Sequence, residues 1–138
     1  MAGETILGES KLIAFAPVTD YAKAREFYGS VLGLTLLYDE TPFALVFSAN
    51  GVMLRVTHVG KHSPAPFTVL GWDVEDIETT VKRLNAAGVD CLRFPGLNDN
   101  AALGIWASPS GARVAWFNDP DKNVLSLTQF PAKEQGPR

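Results

Sequence analysis

Apolar and polar positions along this chain run through two similar cycles. Leu12-Ile13-Ala14-Phe15-Ala16 is a short apolar run halted at Pro17, which predicts a strand. Val18-Thr19-Asp20 follows as a helix start, where Thr19 or Asp20 can cap orphan amides. Ala24, Phe27, Tyr28, Val31 and Leu32 then recur at helical spacing and share one face. Gly33 is suited to end that helix. Three strand-like runs come next: Thr35 to Asp39, Phe43 to Ser48, and Val52 to Thr57. Asn50-Gly51 between the last two is a hairpin signal. Residues 11–60 therefore read β-α-β-β-β.

His58 to Pro66 carries Gly60, Ser63, Pro64 and Pro66 and reads as a linker. The cycle then repeats over residues 66–130. Phe67 to Trp72 predicts a strand, and Asp73-Val74-Glu75-Asp76 opens a helix whose apolar stripe is Ile77, Val81 and Leu84, with Gly88 at its end. Further strands are expected at Val89 to Phe94, Gly104 to Ser108, Ala112 to Phe117 and Val124 to Gln129. Residues 95–103 form a turn-rich loop, 1–10 a short arm and 131–138 a flexible tail. Val18-Thr19-Asp20-Tyr21 aligns with Val74-Glu75-Asp76-Ile77, and Gly33 falls near Gly88. Two copies mean a duplication rather than a solenoid. Neither copy could bury its sheet alone, so the two modules are expected to share one domain, 1–138, as an open trough with helices outside.

Composition narrows the function classes. The chain is 46% hydrophobic and 20% charged, an ordinary globular balance. A net charge of −3 without a basic run argues against nucleic acid as a partner. The single cysteine, Cys91, excludes an intrachain disulfide and a cysteine-rich metal site, and its apolar neighbours predict a buried thiol. No apolar run approaches the ~20 residues that span a bilayer. Met1 to Lys11 carries no signal-peptide pattern, so a cytoplasmic location without membrane partners is expected.

Three stretches carry a family resemblance. They are Val18-Thr19-Asp20 through Arg25-Glu26-Phe27-Tyr28 to Val31-Leu32-Gly33-Leu34, then Trp72 to Ile77 with Leu84 to Val89, and then Phe117-Asn118-Asp119-Pro120-Asp121-Lys122-Asn123-Val124-Leu125. In this order the set resembles the vicinal oxygen chelate superfamily, which includes glyoxalase I, extradiol dioxygenases, fosfomycin-resistance enzymes and bleomycin-resistance proteins. The resemblance spans about residues 10–130. It implies an α+β fold of two βαβββ modules forming one curved mixed sheet, a trough with helices outside. It also implies a homodimer. Enzymes of the superfamily hold a divalent ion with His, Gln or Glu on the first and last strands of each module. The matching positions here are Ile13, Arg55, Val69 and Ser126. Ile and Val cannot ligate a metal, Arg stays protonated and repels a cation, and a serine hydroxyl is a poor substitute for a carboxylate. The resemblance therefore predicts the fold without the usual metal or any other cofactor.

The remaining chemistry is sparse. His58 and His62 are the only histidines and sit at a strand end and in the linker, where solvated loop residues are expected. Asp73, Glu75 and Asp76 are explained by helix capping, and Asp119 with Asp121 by a turn. No nucleophile motif or phosphate-cradling glycine loop occurs, so no catalytic residue is named. Period-two alternation, set on the family geometry, turns Ile13 with Phe15, Met53 with Arg55 and Thr57, and Val124 with Ser126 and Thr128 toward the cavity. The expected ligand-binding residues are Phe15, Phe47, Arg55, Trp106, Trp116 and Ser126. The expected function is metal-free binding of a small apolar or aromatic molecule, in the manner of a bleomycin-resistance protein. The alternative is a glyoxalase-like lyase or dioxygenase whose metal is held by non-standard residues. A third is a structural or regulatory dimer whose cavity is filled by its own side chains.

Overall fold

The computed structural model describes residues 5–97 and 100–132. The expected tail lies, from residue 133 on, outside the described residues, as do residues 1–4 of the arm. The chain forms two compact units, Met1–Gly60 and Lys61–Arg138. Each holds one four-stranded mixed sheet, so the fold is α+β with two modules.

In the first unit the strands are β1 (Ile13–Val18), β2 (Thr35–Glu40), β3 (Ala44–Ala49) and β4 (Val52–His58), in the sheet order β1-β4-β3-β2. β1 pairs parallel to β4, and the other pairs are antiparallel. Parallel pairing needs a crossover, which the helical connection after β1 supplies. That connection starts at the Asp20 cap, whose carboxylate accepts from the Lys23 amide at 3.1 Å. The apolar spacing predicts a single amphipathic α-helix here. The structure instead forms α1 (Tyr21–Ala24) and passes into a π-helical segment, Arg25–Val31. Leu32 donates to the Phe27 carbonyl at 2.9 Å, one residue further back than an α-helix would use. The wider turn still buries Ala24, Phe27 and Tyr28. Asn50 and Gly51 both have positive φ, 50° and 90°, as a primed two-residue hairpin requires.

The register decides which side chains meet the helix. Leu45 opposes Val56, Phe47 opposes Leu54, and Ala14 and Ala16 extend those rows on β1. All but Ala14 are fully buried, and Tyr28 of the helical segment lies on Phe47 with ring centroids 6.1 Å apart. The alternate residues Ile13, Phe15, Met53, Arg55 and Tyr38 therefore occupy the face turned away from the helix.

The second unit repeats the plan with β5 (Thr68–Asp73), α2 (Ile77–Ala86), β6 (Trp106–Ala107), β7 (Arg113–Asn118) and β8 (Val124–Gln129), in the order β5-β8-β7-β6. β5 again pairs parallel to the last strand, β8. Asp76 caps α2 as Asp20 caps α1, accepting from the Thr79 amide and hydroxyl. Ile77, Val81 and Leu84 are buried, as are Ala115, Phe117, Leu125 and Leu127 on the strands. Two expected strands shrink. Residues 89–94 form no strand, and Leu92 donates to the Trp116 carbonyl of β7 at 2.7 Å, while residues 104–108 pair regularly only at Trp106 and Ala107. The Arg93 guanidinium binds the carbonyls of Cys91, Ala101 and Ala102, so a side chain fixes the loop in place of the expected ladder. Among the described residues no helix is long and apolar enough to cross a membrane.

The Asp76 carboxyl is held below its ordinary pKa of 3.8, chiefly by hydrogen bonds from the Thr79 amide and hydroxyl. A depressed carboxyl contributes stability above its unfolded pKa and loses it as the pH falls. Asp76→Ala should therefore lower the urea midpoint at pH 7, followed by circular dichroism. Its deficit against the parent protein should close as the pH falls below 3.8.

Candidate functional site

The away-facing sides of the two sheets carry most of the residues singled out from the sequence. On the first sheet one row runs Phe15, Arg55, Val46, Tyr38 across the strands. Phe15 is 61% exposed. Arg55 pairs with the Glu40 carboxylate at 3.1 Å. Glu40 opposes Ala44 while Arg55 opposes Val46, so the ion pair lies diagonally over β3. Both partners are part-exposed, and such a pair contributes at most about 1 kcal/mol.

Phe47 is a correction. The strand pattern suggests it for the ligand site, but it is fully buried on the opposite face against Tyr28. The three residues before it on β3, Ala44, Leu45 and Val46, are buried too, because Val46 lies beneath the Arg55–Glu40 row while Leu45 and Phe47 lie beneath the helix. A run of buried residues on both faces hides the period of two from the sequence.

The second sheet brings three expected residues together. Trp116 on β7 opposes Ser126 on β8, and Ser126 opposes Gly71 on β5. Trp106 on β6 opposes Val114, two residues from Trp116 and so on the same face. The Trp106 and Trp116 rings lie 6.0 Å apart, tilted by 30°, and Phe94 meets Trp116 edge-on at 5.3 Å. Offset and edge-on aromatic contacts are each worth about 0.5–1.5 kcal/mol beyond area burial. Ser126 is 7% exposed, and its hydroxyl makes no hydrogen bond to a described residue. Gly71 leaves room for it, since a Cβ there would stand 2.8 Å from the Ser126 Oγ.

Two members of this cluster are not among the residues that the sequence singles out. Phe94 falls in an expected strand, and nothing in the pattern folds it over Trp116. Gly71 does carry a signal, because a glycine inside a strand often marks close approach. Phe94 also borders a shallow depression of about 350 Å³ with Arg93, Pro95, Gly96 and Ala101. The polar side chain there, Arg93, is already engaged by backbone carbonyls.

The residues at the superfamily's metal positions do not fit a divalent ion. Ile13 and Arg55 lie on the away face of the first sheet and Ser126 on that of the second. Val69 falls in the irregular register between Thr68 and Leu70. Two hydrocarbons, an ion-paired cation and one hydroxyl offer no ligand set. Among the described residues no three His, Cys, Asp or Glu come together to hold an ion. His62 departs from the expected solvated loop residue. Its Nε2 lies 2.8 Å from the Asn123 Oδ1, and the Asn123 amide donates to Asp119 at 2.8 Å. The amide thereby presents its oxygen to His62, and the imidazole fastens the linker to the β7–β8 turn. Asp119 itself accepts from the Asp121 and Asn123 amides, which makes it the organiser of that turn. Cys91 is buried, and desolvation pushes its thiol up to about 11, so it is no nucleophile at neutral pH.

Two mixed βαβββ sheets, each closed by a parallel pair between first and last strands, define the vicinal oxygen chelate class of fold. A model of the Glyoxalase/Bleomycin resistance protein/Dioxygenase superfamily matches residues 12–127, and the chain belongs to that superfamily. It is similar to the uncharacterized protein YraH of Bacillus subtilis (strain 168), with 30% identity over 125 residues, covering 80% of this chain and 90% of that protein. The fold is shared with the fosfomycin resistance protein FosX of Mesorhizobium loti, at a TM-score of 0.64 and 16% identity, over 94% of this chain and 98% of that one. It is also shared with the lactoylglutathione lyase of Agrobacterium tumefaciens, at a TM-score of 0.67 and 15% identity, over 88% of this chain and 95% of that one. At such identities the likeness concerns fold alone.

The opposed placement of two phenylalanines can be measured. Phe47→Ala should cost about 3–5 kcal/mol in urea unfolding, the usual range for a buried phenylalanine. Phe15→Ala should cost no more than about 0.5 kcal/mol when unfolding is followed at protein concentrations low enough to keep the chain monomeric, because Phe15 is exposed in the single chain.

Proposed function

We propose that this protein binds a small, flat, aromatic or apolar molecule without a metal ion, against the away face of its second sheet. The observation that carries the reading is the Trp106–Trp116–Phe94 cluster, rings in successive contact on a face that the helix does not cover. A strand face that turns tryptophans toward a surface offers wide apolar area at low conformational cost. The polar group set between Trp116 and Gly71 in the same row is the Ser126 hydroxyl, which suits orientation more than chemistry. The donor set at the metal positions supports binding over lyase or dioxygenase chemistry, since those reactions need a Lewis acid to polarise or hold vicinal oxygens. A homodimer completes the reading, supported by the exposed Ile13, Phe15 and Tyr38 on one sheet face.

The test is a panel of planar aromatic compounds followed through the indole N–H signals of the tryptophans. Trp72 opposes Leu127 on the helix-facing side and serves as an internal reference. Binding should move the Trp106 and Trp116 signals and leave Trp72 in place. Trp116→Ala should weaken the best compound at least about fivefold, given that stacking contacts contribute on the order of 1–3 kcal/mol. A panel that moves all three signals equally, or none, would overturn the proposal.

A further inference from the structure

We propose that Gly71 and Ser126 form a polar notch that recognises one hydrogen-bonding atom on the edge of an uncharged aromatic ring stacked on Trp106 and Trp116. The inference rests on the aromatic-binding reading of this face and names the ligand class that the face selects.

The argument starts from the two modules' equivalent positions. Phe15 stands three residues before Val18, and Gly71 three before Val74. Phe15 opposes Arg55 on the last strand of its unit, and Gly71 opposes Ser126 on the last strand of the other. One sheet fills this pair of sites with two large side chains, and the other with two of the smallest. Gly71 has no Cβ to cover the hydroxyl, and one placed there would come to 2.8 Å of it. On the other flank of Ser126 stands Trp116. Ser126 is more than nine-tenths buried, its hydroxyl has no hydrogen-bond partner among the described residues, and it stands in one row with Trp116 of the ring platform. A buried hydroxyl without a partner is unfavourable, so a built-in one in such a row points to a ligand atom. The hydroxyl can donate to a ring nitrogen or carbonyl, or accept from a phenol. Asp73, two residues along β5 from Gly71 and on the same face, disfavours an anion.

The experiment compares quinoline with naphthalene, which match in shape and differ by one ring nitrogen. Both are titrated into the parent protein, Ser126→Ala and Gly71→Ala, with the Trp106 and Trp116 indole signals as readout. The parent protein should prefer quinoline by about five- to tenfold, the usual return on one hydrogen bond. Ser126→Ala should keep naphthalene affinity and lose the preference. Gly71→Ala should also lose the preference, because its methyl group closes the notch. Should Gly71→Ala fail to fold, Ser126→Ala decides alone. Equal binding of the two probes by the parent protein, or a preference that survives in Ser126→Ala, would overturn the notch and leave the aromatic platform standing. Failure of both probes to move either indole signal would overturn the platform and the notch with it.

Discussion

The parallel pairing of first and last strands in each unit is the constraint on which the candidate site depends. A parallel pair cannot be made by a hairpin, so the chain must cross over through a helix, and that helix selects the buried face of the sheet. Once Leu54 and Val56, or Leu125 and Leu127, are committed to the helix side, the residues between and beside them have no choice of face. Arg55 and Ser126 are therefore turned away from the helix by the burial of their neighbours. Their chemistry played no part in that placement.

This division separates what the scaffold demands from what it leaves free. The helix-facing rows are apolar in both units, and both helices are capped by an aspartate at the same point of the repeat. The away-facing rows have diverged. The first carries Phe15, an Arg55–Glu40 ion pair and Tyr38, and the second carries Gly71, Ser126 and a tryptophan pair. The superfamily uses the same rows to present metal ligands. Here they hold an ion-paired cation, hydrocarbons, a hydroxyl and stacked indoles.

Much of this is legible in the amino-acid sequence. The two cycles, the Asp20 and Asp76 caps, the Asn50-Gly51 hairpin and the shared face of Val124, Ser126 and Thr128 follow from local rules that tertiary context does not override. The departures have physical causes. Phe47 alternates in step with nothing visible, because its strand is buried on both faces. The first helix widens into a π-turn although its apolar spacing fits an α-helix equally well. Residues 89–94 look like a strand, yet the Arg93 guanidinium supplies the loop carbonyls with the donors that a ladder would have given. Phe94 reaches Trp116 through that irregular loop, and no periodicity encodes such a contact.

The central claim is the proposal that this superfamily member binds aromatic molecules without a metal ion. Its most direct test is equilibrium dialysis of the purified protein against nickel, zinc, manganese or iron(II), with bound metal counted and the melting temperature read at each concentration. The account predicts less than stoichiometric metal and a melting temperature that does not rise with it, while a bound aromatic compound raises it in the manner of any ligand selective for the folded state. One equivalent of metal per chain, with a melting temperature that climbs with metal concentration, would contradict it.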